Sequence, residues 1–93
     1  MRVTVLLPKL LCEHADGVQR LEIDVDEATL GGVLDVVAER HPGLERRLRD
    51  ESRALRRYVN FYLDDSECRW IDGAASPVRD GTEIRIIPSV AGG

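Results

Sequence analysis

Apolar and polar residues alternate along four stretches of the chain, the pattern of strands that bury one face. In the first two, residues 2–7 and 18–26, the inward set is Val3, Val5, Leu7, Leu21, Ile23 and Val25. In the other two, residues 58–63 and 83–87, it is Val59, Phe61, Leu63, Ile84 and Ile86. A further short strand is predicted at residues 68–71. The pattern therefore predicts five strands.

The apolar period changes to that of a helix after Thr29, whose hydroxyl is suited to cap the first turn. One face of this helix carries Leu30, Val33, Leu34, Val37 and Ala38, and the helix ends at His41-Pro42-Gly43. Gly31 and Gly32 are poor helix formers, and their small size suggests a close approach to a sheet. A second short helix is predicted at residues 44–48, within a charged neighbourhood that we expect to be solvated as far as Arg57.

Connections are predicted where turn-forming residues cluster. Residues 9–16 are expected to form a loop closed by Asp16-Gly17, a hairpin-type dipeptide that would make the first two strands antiparallel. Residues 64–66 and the dipeptide Asp80-Gly81 predict further turns. The element order places the last strand in the middle of the sheet, parallel to the first. We therefore expect an α+β fold of the β-grasp type seen in ubiquitin, a mixed sheet packed on one main helix, as a single domain over residues 1–93.

Composition narrows the functional classes. The 93 residues carry a formal net charge of −4, with a hydrophobic fraction of 43%. An acidic balance argues against general nucleic-acid binding, and an acidic surface suits a basic partner. No apolar run is long enough to span a membrane and no signal-peptide layout begins the chain, so a cytoplasmic location is expected.

Metal-competent residue types occur at Cys12, His14, Asp16 and Cys68, but their spacing matches no common zinc pattern. The two cysteines are expected to be packing residues or unpaired thiols rather than a disulfide. A nucleophilic pair of cysteine and histidine would need a third orienting group and a pocket, which so small a chain hardly provides. We predict neither a metal site nor a catalytic constellation in the chain.

The outward face of the predicted sheet carries three apolar residues, Leu6, Tyr62 and Ile87, where a half-covered sheet normally shows polar ones. Isolated apolar residues are common on surfaces. Three on adjacent strands would instead form a docking patch for a partner protein, which is the interpretation we favour.

The chain ends in Pro88 followed by Ser89-Val90-Ala91-Gly92-Gly93. Residues 89–93 are predicted to be a flexible tail, because glycines bury almost nothing and cost backbone entropy when ordered. Such a tail is suited to threading a narrow channel and presenting its terminal carboxylate to another active site. The tail alone leaves a second interpretation equally open, that the glycines are an incidental feature of a frayed terminus.

The whole chain resembles the ubiquitin-like sulfur carrier proteins of the MoaD/ThiS family, and within it the cysteine-synthesis branch. The resemblance rests on Val3-Thr4-Val5 with Pro8, on Thr29-Leu30-Gly31, and on residues 58–62. Its most specific part is Asp80-Gly81 followed by residues 86–93, which end in the family's diglycine.

The resemblance implies that the chain is a carrier and not an enzyme, with no bound cofactor. An E1-like enzyme would use ATP to adenylate the carboxylate of Gly93, which would then become a thiocarboxylate. The same resemblance implies that Gly92 is the slender approach to Gly93, and that docking uses the sheet face that holds Leu6, Tyr62 and Ile87. We predict that Val90 and Ala91 take part with Gly92 in recognition of the tail.

Further partners implied by the resemblance are a PLP-dependent cysteine synthase and a JAMM-type zinc peptidase, visited by a carrier that is a monomer when free. The sulfur could instead go to molybdopterin, thiamine or a secondary metabolite. A ubiquitin-like protein modifier and an interaction module with an incidental diglycine end are the alternatives from other classes.

Overall fold

The computed structural model describes residues 1–67 and 73–88. Five strands form one mixed sheet in the order β2-β1-β5-β3-β4. Their bounds are β1 Arg2–Leu6, β2 Arg20–Asp24, β3 Val59–Leu63, β4 Ser66–Glu67 and β5 Glu83–Pro88. The helices are α1 Lys9–Cys12, α2 Leu30–Arg40 and α3 Pro42–Leu48. Short 3₁₀ turns occupy Glu13–Ala15 and Gly73–Ala75.

The last strand lies in the middle of the sheet, as the element order predicts. β5 is parallel to β1, with Val5 opposite Ile84, and antiparallel to β3, with Phe61 opposite Ile86. β1 and β2 are antiparallel, with Val3 opposite Ile23. This is the β-grasp arrangement.

The core lies between one face of this sheet and α2, with α3 beside it. Every residue predicted to point inward from β1, β2, β3 and β5 is buried. From α2 the core receives Leu30, Val33, Leu34 and Val37, whereas Ala38 is only half-buried. Thr29 caps the helix as predicted, because its Oγ1 accepts a hydrogen bond of 3.0 Å from the Gly32 N–H.

The prediction of a loop at residues 9–16 was wrong, because α1 and a 3₁₀ turn occupy most of it. A four-residue helix is too short to show a period, and it forms here because Leu11 and Cys12 pack into the core. Asp16 and Gly17 do close the connection, with φ of 56° and 80°. The Val18 N–H donates to the Ala15 carbonyl across this turn at 3.0 Å.

The small size of Gly31 and Gly32 suggested a close approach of α2 to the sheet, and that expectation was wrong. A Cβ at Gly32 would lie 2.7 Å from the Glu27 carbonyl oxygen, and one at Gly31 would lie 3.2 Å from that of Ala74. The close approach is therefore to the turn that precedes the helix and to the 3₁₀ turn Gly73–Ala75.

Two further expectations, the turn at residues 64–66 and the solvated charged run, need correction, and a third lies where the structure does not test it. The turn predicted at residues 64–66 is shorter, because Ser66 already pairs with Leu63 in β4. The strand predicted at residues 68–71 lies outside the described residues. The charged run through Arg57 is not solvated throughout, because the Arg49 side chain is 3% exposed and ion-paired.

Candidate functional site: the end of the central strand and its surroundings

The strand that leads to the C-terminal tail, β5, is hydrogen-bonded on both edges and packs one face against the core. β5 exchanges hydrogen bonds with β1 and β3, and its Ile84 and Ile86 side chains are fully buried. Its pairing extends to Pro88, which lies opposite Val59. The position at which the chain passes into residues 89–93 is therefore fixed by the core of the domain.

The turn that leads into β5 is fastened to β1, which explains the dipeptide Asp80-Gly81. Asp80 Oδ1 accepts a hydrogen bond of 2.8 Å from the Arg2 N–H, and the Gly81 N–H donates to the Arg2 carbonyl at 2.8 Å. Gly81 has a φ of 89°, a conformation that residues with a Cβ rarely adopt. Thr82 is buried, and its Oγ1 accepts a hydrogen bond of 2.9 Å from the Arg79 N–H. These contacts set where β5 begins.

The three residues predicted to form a docking patch lie on the outward face of adjacent strands. Ile87 is 41% exposed, and Leu6 and Tyr62 are half-buried. The strand register adds a feature that the sequence did not reveal, because Leu6 and Tyr62 both lie opposite Arg85. The outward face thus has a central arginine with an apolar residue on each side and Ile87 one row nearer the tail.

Charged side chains on this sheet face are paired with one another. Arg2 Nε lies 3.2 Å from Asp24 Oδ1, and the Arg85 guanidinium lies 3.3 Å from Glu83 Oε1. The hydrogen bond from Arg2 lowers the pKa of the Asp24 carboxyl group. Hydrogen bonds from Arg20 and Thr4 likewise lower the pKa of Glu22. Much of the charge on this face is therefore internally balanced.

The tail residues Val90, Ala91, Gly92 and Gly93 lie outside the described residues, so their predicted roles remain predictions.

The metal-competent residues Cys12, His14 and Asp16 do not form a metal site in the described part of the chain, and Cys68 lies outside it. Within residues 1–67 and 73–88, no group of three or more His, Cys, Asp or Glu side chains is placed to hold a metal ion. The buried Cys12 thiol donates to the Pro8 carbonyl at 3.3 Å, and His14 Nε2 lies 3.6 Å from Glu13 Oε1. None of the helices in the described part of the chain is long and apolar enough to cross a membrane.

A groove beside the end of β5 was not predicted. It has a volume of about 280 Å³, is bordered by Pro88 and Val59, and receives the exposed side chains of Leu10 and Tyr58. Leu10 is 70% exposed although it belongs to a helix. The sequence predicted a loop for the segment that contains Leu10, and nothing in that prediction placed Leu10 near Pro88 at the end of β5.

A five-stranded mixed sheet around one main helix, with its last strand in the middle, defines a β-grasp protein of the ubiquitin-like class. The chain belongs to the ThiS family, whose model matches residues 5–93. The fold and the family resemblance drawn from the sequence are thereby confirmed.

Individual relatives share most or all of the chain. The chain is 37% identical over 95 aligned positions to the sulfur carrier protein CysO of Mycobacterium tuberculosis, covering 100% of both proteins. It is 34% identical over 68 residues to small archaeal modifier protein 3 of Haloferax volcanii, covering 73% of each. It matches a chain in the crystal structure of the Amycolatopsis orientalis BexX/CysO complex with a TM-score of 0.84 and 36% identity, covering 98% of this chain and 99% of that one.

Proposed function

We propose that this protein is a sulfur carrier that works through its C-terminal carboxylate on Gly93. The observation that carries the proposal is the match to the ThiS family, which runs through Gly93, together with full-length similarity to a protein named as a sulfur carrier. The placement of β5 supports it, because a tail that begins at a rigid central strand has a defined origin on the body of the domain.

The terminal carboxylate needs activation before it can accept sulfur. With a pKa of about 3.5 it is ionised at neutral pH and is a poor electrophile. An E1-like enzyme would join the carboxylate oxygen to the α-phosphorus of ATP, releasing pyrophosphate. A sulfide-level donor would then attack the acyl carbon, the bond from that carbon to the AMP oxygen would break, and AMP would leave with the electron pair. The product is a thiocarboxylate on Gly93.

In this scheme the chain is a co-substrate, and the partner enzymes supply the catalysis. Val90, Ala91 and Gly92 would be the slender segment that reaches an active site, and Leu6, Tyr62 and Ile87 would contact the activating enzyme. A tethered nucleophile gains from positioning, because its second reaction partner need not be captured from dilute solution.

Cysteine synthesis is the recipient pathway that we propose. The thiocarboxylate sulfur would add to the β-carbon of an aminoacrylate held by a PLP-dependent cysteine synthase in the cytoplasm, giving a thioester. Transfer of the acyl group from sulfur to the cysteine amine would turn the thioester into an amide. A JAMM-type zinc peptidase would then hydrolyse that amide, which releases cysteine and restores the diglycine end. The carrier would visit these enzymes as a monomer. Molybdopterin, thiamine or a secondary metabolite would be the recipient if the cysteine adduct does not form.

Intact mass spectrometry of the protein from its native host tests the proposal. We expect a species heavier by one sulfur-for-oxygen exchange in the C-terminal peptide, and a further cysteine adduct if cysteine synthesis is the pathway. The control is a variant lacking Gly92 and Gly93, which should unfold at the same temperature and acquire no sulfur. An unmodified terminus in sulfur-replete cells that express the activating enzyme contradicts the proposal.

A second candidate function, protein modification, is favoured by the similarity to small archaeal modifier protein 3. In that function the adenylated Gly93 would be joined to lysine side chains of target proteins. Finding diglycine remnants from this chain on cellular proteins would support this alternative. Their absence, together with sulfur on Gly93, would exclude it in favour of the carrier function.

A further inference from the structure

Two adjoining depressions form a continuous groove at the end of the sheet from which the tail departs. The first, of about 280 Å³, reaches Pro88, and the second, of about 390 Å³, extends to Arg46 and Arg56. Both are lined by His14, Arg47 and Tyr58. The shared residues make the groove a single surface with two ends of different chemistry, which we call the α1–α3 groove.

The end nearer the tail is apolar. Leu10 and Tyr58 are 70% and 52% exposed, and because both line the same depression they form one apolar surface rather than two isolated exposed residues. They lie at the end of the sheet where β5 finishes and β3 begins, since Val59 is opposite Pro88. An apolar side chain bound here would sit next to the base of the tail.

The other end is cationic. Arg56 is held in place, because its Nε donates to the Arg46 carbonyl at 2.8 Å and its guanidinium lies 6.0 Å from the centre of the Tyr58 ring. Within the described part of the chain, the guanidinium groups of Arg46 and Arg47 have no carboxylate within ion-pair distance. This contrasts with Arg2, Arg20 and Arg85 on the sheet face, which are all ion-paired.

Three arginines line this end of the groove, although the net charge of the whole chain is −4. Among the described residues that line the groove, Glu13 is the only one with a carboxylate, and its Oε1 lies 3.6 Å from His14 Nε2. Unpaired guanidinium groups attract carboxylates and steer their approach over roughly 10 Å at moderate salt. The groove therefore complements a partner of opposite charge with an apolar residue nearby.

We propose that the α1–α3 groove docks an acidic segment of a partner protein, with an apolar side chain against Leu10 and Tyr58 and carboxylates against Arg46 and Arg47. The proposal rests on the proposed function, since the partner is one of the enzymes that act on the tail. The groove reaches the end of β5 at Pro88, and it adds a second contact surface to the sheet face that holds Leu6, Tyr62 and Ile87.

A peptide titration tests the groove without the enzyme. The probe is a capped pentapeptide with leucine flanked by two glutamates on each side, added to isotopically labelled full-length protein and followed by NMR. We expect saturable shifts at the amides of Leu10, Arg47 and Tyr58 that weaken as salt rises from about 50 to about 300 mM. Control peptides replace leucine with serine or all glutamates with lysine, and both should bind at least tenfold more weakly.

The second test uses the activating enzyme encoded by the same genome, through ATP–pyrophosphate exchange. The variant with Arg46→Glu and Arg47→Glu should raise the KM for the carrier roughly tenfold with an unchanged kcat, since lost charge complementarity acts on encounter. The control is the single charge reversal Arg79→Glu at the other end of the sheet, which should leave the KM within about twofold, whereas Arg47→Glu alone should already raise the KM by more than that.

The outcomes separate the two proposals. Peptide shifts confined to the Leu6 and Ile87 face, equal binding of the lysine peptide, or no saturable shift would overturn the groove assignment. An unchanged KM in the arginine double variant, with exchange intact, would do the same. If the wild-type chain supports no exchange at all, the proposed carrier function fails, and the peptide titration alone decides whether the groove binds acidic segments.

Discussion

The Arg49 guanidinium lies 3.0 Å from Asp35 Oδ1 and joins helix α2 to the end of α3. It also lies 2.8 Å from Glu45 Oε2, one turn earlier in the chain. Burial acts to lower the pKa of Arg49, but its hydrogen bonds to Glu45 and Asp35 outweigh that effect and raise it. The cation is therefore a buried connection between the two helices.

Replacing Arg49 with alanine should lower the free energy of unfolding by about 3 kcal/mol, because it leaves Glu45 without its buried counter-ion. Urea denaturation gives this quantity. The matched control is Arg53→Ala, since Arg53 also pairs with Asp35 but is 72% exposed, and its loss should cost under about 1 kcal/mol. Equal effects of the two substitutions would show that burial of Arg49 is unimportant.

Replacing Gly32 with alanine should destabilise the protein by about 1–3 kcal/mol, although alanine favours helices. The added Cβ would meet the Glu27 carbonyl oxygen at 2.7 Å, so the backbone must shift. Gly43→Ala is the control, because its Cβ would meet only His14 Nδ1 at 3.8 Å. That substitution should stabilise α3 by up to about 1 kcal/mol. Thermal unfolding of both variants against wild type decides, and a stabilising effect of Gly32→Ala contradicts the packing described above.

Replacing Ile87 with aspartate should weaken docking to the activating enzyme while costing about 1 kcal/mol or less of stability, because the side chain is on the outward face. Ile86→Asp, one residue earlier, should instead unfold the domain by placing a charge in the core. The measurements are the KM for the carrier in ATP–pyrophosphate exchange and the unfolding midpoint. Full activation of the Ile87→Asp variant would remove the docking patch from consideration.

Stability should fall in acid partly through Asp50. Hydrogen bonds from the Ser52 side chain and the Ala54 N–H lower the pKa of Asp50 in the folded protein. A depressed pKa contributes stability that is present above the unfolded value of about 3.9 and is lost as the pH falls through the folded value. Asp50→Asn should therefore flatten the decline of the unfolding free energy below about pH 4. Glu51→Gln is the neighbouring control, and an identical pH dependence in both variants would contradict the prediction.

The alternation of residues was enough to assign faces. Along β5 it separated Ile84 and Ile86 from Ile87, because successive side chains of a strand point to opposite faces. The N-cap at Thr29 was also correctly predicted, because a residue with a hydroxyl group there precedes a run of helical periodicity. These features depend on neighbours in the chain, and a single sequence contains them.

Features that depend on distant pairing were not accessible from the sequence. Nothing in one strand specifies its offset against another, so the position of Arg85 between Leu6 and Tyr62 could not be foreseen. Arg49 resembles its exposed neighbours in a charged run, and only the fold supplies Asp35 as its partner. The α1–α3 groove was missed for the same reason, since it unites residues from four separate stretches.

The central position of β5 has a mechanical consequence. A pull on the chain beyond Pro88, when it is directed along β5, loads a strand that has a neighbour on each side. Such a load acts on the hydrogen bonds to both β1 and β3, whereas an edge strand is held by one neighbour only. A partner enzyme that draws residues 89–93 into its active site therefore pulls against a strand that the folded domain holds on both sides.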